Sequence, residues 1–322
     1  MEASRAMTIG VWGAGLVGRA IVSSFAEHQM AVCVLNRSVD KPIFANGKKV
    51  PMRCMSFTAN EDEMVSALVG ISVLVHCAGS IADDYSQFVQ AANRLAAAAV
   101  RARVVRVLMV STVGVYGDAI TDACLTAGAT IDKAVLPKPS SPYGKSRYAA
   151  EIDMRAILEA SGIEFSVVRI PMVLSVDMSA QVFKKLRYFL DRGFFPELGA
   201  PSASLPCIRL EKLQICIAQL VSSPSKLAPL YQFSESLLWS AVLESYMSKT
   251  GRRVHVVPLP GWILLRVFRA LRLKYLVFSL QVLMNEATFG DDSVHVLDEV
   301  ETRESGSLGV SIGSAEIEST LW

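Results

Sequence analysis

The first residues whose spacing suits chemistry are glycines. Gly13-Ala14-Gly15-Leu16-Val17-Gly18 follows the apolar run Met7–Trp12 and opens a stretch of helical periodicity, Leu16–Glu27. In that strand–turn–helix setting Gly13 permits a tight turn, Gly15 lets a pyrophosphate approach bare backbone, and Gly18 lets the helix lie close on the strand. The N–H groups of the first helical turn, those of Leu16 and Val17 among them, then face the phosphates together with the positive helix end. The chemistry expected here is the binding of a dinucleotide.

The second apolar run closes with Leu35-Asn36-Arg37-Ser38. A site selective for NAD(H) usually carries an acid there, accepting from the ribose 2′-hydroxyl. A guanidinium instead suits a 2′-phosphate, which it grips through two parallel N–H donors. Asn36 and Arg37 are therefore expected at the ribose end, and NADP(H) is expected to be preferred over NAD(H). Arg19, one residue past Gly18, is a further phosphate candidate.

Other chemistries find little support. The six cysteines (Cys33, Cys54, Cys77, Cys124, Cys207, Cys216) include no CxxC pair, and the first three sit in apolar, strand-like runs. They are expected as buried thiols in a reducing compartment. The histidines His28, His76, His255 and His295 lack ligand spacing, so no metal site is expected. A net charge of +2 gives no footprint for nucleic acid, and none is expected as a partner. The start, MEASRAMTIG, lacks the apolar core of a signal peptide, which points to the cytoplasm. Hydrophobic residues make up 52% of the chain and charged ones 19%, which argues against disorder. No run of about 18 uninterrupted apolar residues marks a membrane span.

The elements that must hold the glycine turn follow from hydrophobic pattern. Strands are predicted at Met7–Trp12, Ala31–Asn36, Met52–Phe57, Ser72–Cys77, Val104–Ser111 and Phe165–Ile170. Helices are predicted at Leu16–Glu27, Asp62–Leu68, Tyr85–Arg101 and Tyr143–Ala160. Strands apolar on both faces, alternating with helices, predict an α/β fold: a Rossmann-type, doubly wound parallel sheet. Residues 1–175 are expected to form this dinucleotide-binding domain and residues 176–285 a smaller substrate lobe, with helices at Leu210–Val221 and Trp239–Ser248 and a strand at Val254–Val257. Beyond Met284, nine acids face one base, Arg303, so residues 286–322 read as an acidic, partly disordered tail.

Four further stretches carry a resemblance. Val75-His-Cys-Ala-Gly79 is similar to the "hxAg" turn of the extended short-chain dehydrogenase/reductases, the NAD-dependent epimerase/dehydratase group. Val110-Ser-Thr-Val-Gly-Val-Tyr-Gly117 is close to that family's "VSSxxVYG", Ser141-Pro-Tyr-Gly-Lys-Ser-Arg147 to "SPYGKSK", and Val168-Arg-Ile-Pro171 to "xRxP". The resemblance spans residues 7 to about 175 and extends weakly to about 285. It implies Thr112 as the Ser/Thr that bonds the substrate oxygen and Tyr143 as the acid/base. It implies Cys77, Ala78, Gly79, Tyr143, Arg147 and Ile170 as cofactor contacts. A phenol ionises near pH 10, so it needs an adjacent cation to work at neutral pH.

The chain departs from the family at named places. Arg147 stands where the family has Lys; it keeps the charge but cannot lose its proton. Lys145 lies on another helix face. Trp12 replaces the first Gly, Phe57-Thr58 replaces an adenine-contacting Asp, and the helix Asn of the fuller catalytic tetrad falls at Phe88, with Asn93 out of register.

For the substrate side, Ser80 and Val113 are expected in the cleft, and Arg209 is a weaker candidate for a diphosphate. The segment 262–284 is apolar with Arg266, Arg269 and Arg272 at intervals of three. It reads as a lobe helix, or alternatively as a peripheral membrane contact. A homodimer is an open expectation. Two functions follow from the resemblance: an NAD(P)-dependent epimerase/dehydratase or reductase acting on a nucleotide sugar or similar hydroxyl/carbonyl substrate, or a weakly active or inactive NADP(H)-binding regulatory or assembly protein.

Overall fold

Strands apolar on both faces demand cover on both faces, and the chain supplies it. The computed structural model describes residues 7–79, 84–120, 130–174, 188–197, 204–258 and 288–296, together with 266 and 270. The first half runs β1 (Thr8–Trp12), α1 (Leu16–Glu27), β2 (Ala31–Asn36), a small hairpin of β3 (Phe44–Ala45) and β4 (Lys48–Lys49), β5 (Met52–Cys54), α2 (Glu61–Leu68), β6 (Val73–His76), α3 (Tyr85–Arg101), β7 (Arg106–Thr112), β8 (Thr130–Ile131), α4 (Pro142–Ala160) and β9 (Glu164–Ile170). The second half runs β10 (Met172–Leu174), β11 (Phe194–Glu197), β12 (Ser204–Arg209), α5 (Leu210–Ser222), β13 (Leu230–Gln232), β14 (Glu235–Leu238), α6 (Trp239–Thr250), β15 (His255–Pro258) and β16 (Thr288–Phe289).

Seven strands form the main sheet in the order β13-β9-β7-β6-β1-β2-β5, every neighbouring pair parallel. Side chains alternate across it, as a pleated strand requires. Trp12, Leu74, Met109 and Val167 pack under α2, α3 and α4. Val11, Val75, Leu108 and Val168 pack under α1 and α5. In α3, Ala91, Ala92, Ala96, Ala98 and Ala99 are fully buried, and their small size lets the helix lie close between its neighbours.

Helix starts are set by local chemistry. Asn60 and Glu63 form a reciprocal capping box at α2, Asp84 caps α3, and the Ser141 hydroxyl accepts from the Gly144 N–H with Pro142 at the first position of α4. Helix α1 differs: its cap is Gly15, which has no side chain to offer.

From Met172 onward the chain builds a three-stranded sheet, β10-β12-β14, around Leu174, Leu190, Phe195, Leu205, Leu237 and Tyr246, and a two-stranded pair, β11-β15. It also returns to the main sheet. Helix α5 packs on the α1 side, and β13 extends the sheet beyond β9, Leu230 opposite Val167. Residues 288–296, at the start of the acidic stretch, are tied down as well. Strand β16 pairs with β8, and Asp291 and Asp292 hold Lys212 and Lys133 at 3.0 and 2.8 Å. Ser80, segment 262–284 apart from residues 266 and 270, and residues 297–322 lie outside the described residues. Among those described, no helix is long and apolar enough to cross a membrane.

One expectation fails plainly. Cys54 is exposed rather than buried, because β5 is an edge strand; its thiol donates to the Arg37 carbonyl at 3.5 Å.

Candidate functional site

Strand order reverses between β1 and β6, and in doubly wound sheets such a reversal is where ligands bind, beyond the carboxyl ends of the strands. Trp12 and His76 are opposite each other in register, and the Cys77 N–H donates to the Trp12 carbonyl at 2.8 Å. The two following loops therefore abut. Gly13 has φ +104°, and a Cβ there would lie 2.7 Å from the Ala78 Cα. A Cβ on Gly18 would lie 1.9 Å from the Gly13 carbonyl oxygen. At Gly15 a Cβ would meet nothing within 4 Å. Open space thus stands before a helix start with no side-chain cap, where Leu16 is itself exposed. Unoccupied donors before open space suit an anion, so these residues fit the pyrophosphate of a dinucleotide. Arg19 is engaged locally, its Nε donating to the Ala14 carbonyl at 2.9 Å.

At the end of β2 the Asn36 amide donates to the Ser38 carbonyl (3.0 Å), which shapes the turn. The Arg37 side chain is exposed. The Ser38 hydroxyl donates to Asp40 at 2.8 Å, so a carboxylate does stand in this loop, three residues beyond Arg37.

Thr112 ends β7 and caps a single 3-10 turn, Val113–Val115; its Oγ1 accepts from the Gly114 N–H at 3.1 Å. A Cβ on Gly144 would lie 2.5 Å from the Gly114 carbonyl oxygen. Glycine at 144 thus lets the start of α4 reach the end of β7, bringing the segments of Thr112 and Tyr143 together. Ile170, buried, pairs in register with Thr112, and Val113 is half-buried beside them. Tyr143 is half-buried, its ring 6.3 Å from that of Tyr85. Lys145 is exposed on a different face of α4.

One turn below Tyr143, Arg147 is only 4% exposed. Its guanidinium carbon lies 4.0 Å from the Phe88 ring centroid and 5.1 Å from that of Tyr143, and Nη1 donates to the Ala78 carbonyl at 3.2 Å. Gly79, at φ +109°, is needed here: a Cβ would lie 2.5 Å from Arg147 Nη2 and 2.8 Å from Phe88. Beneath, His76 is sandwiched between Trp12 (4.7 Å) and Phe88 (5.7 Å), with no hydrogen-bond partner for either ring nitrogen among the described residues. Burial, helped by the Arg147 charge, pushes its pKa down to about 3, so the ring is neutral. Burial pushes the Cys77 thiol up to about 12 although Arg147 opposes the shift, which favours the neutral thiol over the thiolate.

Sequence reasoning passed over a second polar layer. Ser111 donates to Glu151 Oε1 at 2.5 Å, and Arg169 Nη2 donates to Glu151 Oε2 at 2.7 Å. The Arg169 guanidinium lies 5.0 Å from the Tyr116 ring, and the Tyr116 hydroxyl donates to Gln232 at 2.6 Å. One signal was available: Tyr143, Arg147 and Glu151 are spaced by four and share a helix face. Arg209, the candidate for a diphosphate, is held by Glu235 through Nε and Nη2 at 3.0–3.3 Å. Among the described residues no cluster of His, Cys, Asp or Glu could hold a metal ion.

Residues 9–192 match the family model described as the NAD dependent epimerase/dehydratase family. No curated protein matches the sequence. Among solved structures, UDP-glucose 4-epimerase of Thermus thermophilus in complex with NAD aligns with a TM-score of 0.68 at 17% identity, covering 98% of each chain. MoeE5 in complex with UDP-glucose and NAD aligns at 0.64 and 18% identity, over 98% of this chain and 97% of that one. UDP-glucuronic acid 4-epimerase of Bacillus cereus in complex with NAD aligns at 0.64 and 13% identity, over 98% and 96%. At these identities the likeness is one of fold.

Proposed function

The chain belongs to the NAD-dependent epimerase/dehydratase family, and from that premise we propose that it is an NAD(P)-dependent epimerase, dehydratase or reductase acting on a nucleotide sugar or a similar hydroxyl/carbonyl substrate. The observation that carries the reading is the convergence of two features at one end of the sheet: the open, uncapped α1 start at Gly15, and the closely packed segments of Thr112 and Tyr143.

Gly13, Gly15, Leu16, Val17, Gly18, Cys77, Ala78, Gly79 and Ile170 would line a bound dinucleotide, whose nicotinamide supplies hydride acceptance or donation. Arg37 is assigned to a 2′-phosphate, hence NADP(H) before NAD(H). The chain's own groups handle the proton. The Thr112 hydroxyl already accepts from the Gly114 N–H, so its hydrogen is free to point at a substrate oxygen. On oxidation the Tyr143 side chain acts as the phenolate and takes the proton from that oxygen, becoming the phenol; on reduction the phenol gives the proton back. Arg147 holds a fixed positive charge beneath the Tyr143 ring and takes no part in proton exchange. Val113 is assigned to the substrate side; Arg209, already balanced by Glu235, has less charge to offer a diphosphate.

One observation favours a second reading, an NADP(H)-binding regulatory or assembly protein with little turnover: an arginine, not a lysine, sits under the tyrosine and is clamped there. Incubating the protein with NADP⁺ or NADPH and a panel of UDP-sugars separates the two. Turnover that falls about 10²–10⁴-fold in Tyr143→Phe supports the enzyme. Dinucleotide binding without turnover supports the alternative.

A further inference from the structure

Two departures from the family pattern, Arg147 and Phe88, are far apart in sequence and in contact in space. Arg147 is a nearly buried cation, and among the described residues no carboxylate pairs with it. Its charge is balanced by one backbone carbonyl and two aromatic faces, Phe88 the nearer at 4.0 Å. A buried charge without a counter-ion is costly unless other groups solvate it, and a desolvated ring face is such a group. Phe88 is itself immobilised, 2% exposed, edge-on to Phe57 at 6.1 Å and stacked on His76.

We propose that Phe88 is a positioning residue: its ring fixes the Arg147 guanidinium between Ala78 and Tyr143, so that the cation acts on cofactor and acid/base from a set place. The two substitutions then form one unit. A lysine at 147 would lose the planar contact with Phe88, and an asparagine at 88 would leave the guanidinium without its main support. The proposal rests on the functional reading above in that it gives the clamped charge a role at the dinucleotide site.

The test compares Phe88→Leu, which keeps apolar bulk and removes the π face, with Phe88→Tyr, which keeps the face. The first readout needs no turnover. The ring-current-shifted side-chain resonance of Arg147, assigned by its loss in Arg147→Lys, should move in Phe88→Leu and persist in Phe88→Tyr. The second is NADPH affinity, followed by nucleotide fluorescence. It should weaken about tenfold in Phe88→Leu and recover in Phe88→Tyr. Where a sugar substrate turns over, kcat should fall in Phe88→Leu with the sugar KM little changed. If Phe88→Leu fails to fold, Phe88→Met takes its place. An unmoved Arg147 resonance, or NADPH affinity within twofold of the parent in Phe88→Leu, overturns the proposal. Absence of turnover in the parent protein counts against the enzymatic reading alone, because the resonance and the binding constant still judge the clamp.

Discussion

Glu151 and Arg169 form an ion pair at 2.7 Å with side chains only 5% and 6% exposed, joining α4 to β9 directly beneath the end of β7. Ser111, the neighbour of Thr112, donates to the same carboxylate. Helix α4, which carries Tyr143, is thereby tied to the strand that carries Thr112. Removing one partner leaves the other charge buried and uncompensated, which is far worse than removing both. Glu151→Ala should lower unfolding free energy by about 3–5 kcal/mol in urea titrations, and a Glu151→Met, Arg169→Met pair should recover most of it. Equal losses in the single and double variants would show that the pair is not the source.

His76 gives stability a pH dependence of known sign. Its folded pKa is about 3, against 6.5 for the free side chain, so the unfolded chain binds a proton that the folded chain refuses. The contribution is complete above pH 6.5 and declines as pH falls toward 3, by about 5 kcal/mol over the window. His76→Leu should flatten that decline in urea midpoints taken from pH 7 to pH 4. Parallel curves for the two proteins would reject the assignment.

The glycine turn separates folding from binding. Gly15→Ala places a methyl in open space, so its stability should stay within about 0.5 kcal/mol of the parent while NADPH affinity drops about tenfold or more. Gly18→Ala drives a methyl into the Gly13 carbonyl and should cost about 2 kcal/mol or more in unfolding free energy. Thermal melts and NADPH titrations of both variants decide it. A Gly15→Ala protein with undiminished affinity places the phosphates elsewhere.

Arg37 is exposed at the end of β2 and engages no carboxylate among the described residues. Arg37→Ala should weaken NADPH about tenfold and leave NADH unchanged, erasing the preference. Equal affinities for the two nucleotides in the parent protein would remove the 2′-phosphate assignment.

The parts of the fold legible in the sequence are those set by local rules. Helices Leu16–Glu27 and Tyr85–Arg101 run to the residue where periodicity and capping put them, and the central strands β1, β2, β6, β7 and β9 sit within one or two residues of their apolar runs. Features that depend on distant partners were not legible. β13 is three residues long, and only its pairing with β9 makes it a strand. Glu151 shows its role only once Arg169 is beside it, and Arg209 is balanced by Glu235, 26 residues on. Phe88 and Arg147 were each visible as departures, but their contact is a property of the packed α3–α4 pair.

The late arrival of β13 has a consequence for how the chain is made. β9 forms one border of the parallel sheet until Leu230–Gln232 pair with it, about sixty residues later. At about 5–20 residues per second, a ribosome leaves that border unpaired for several seconds, an open template for strand exchange with other nascent chains. A fragment ending near residue 175 would keep it open permanently, so this dinucleotide-binding half is a poor candidate for expression by itself.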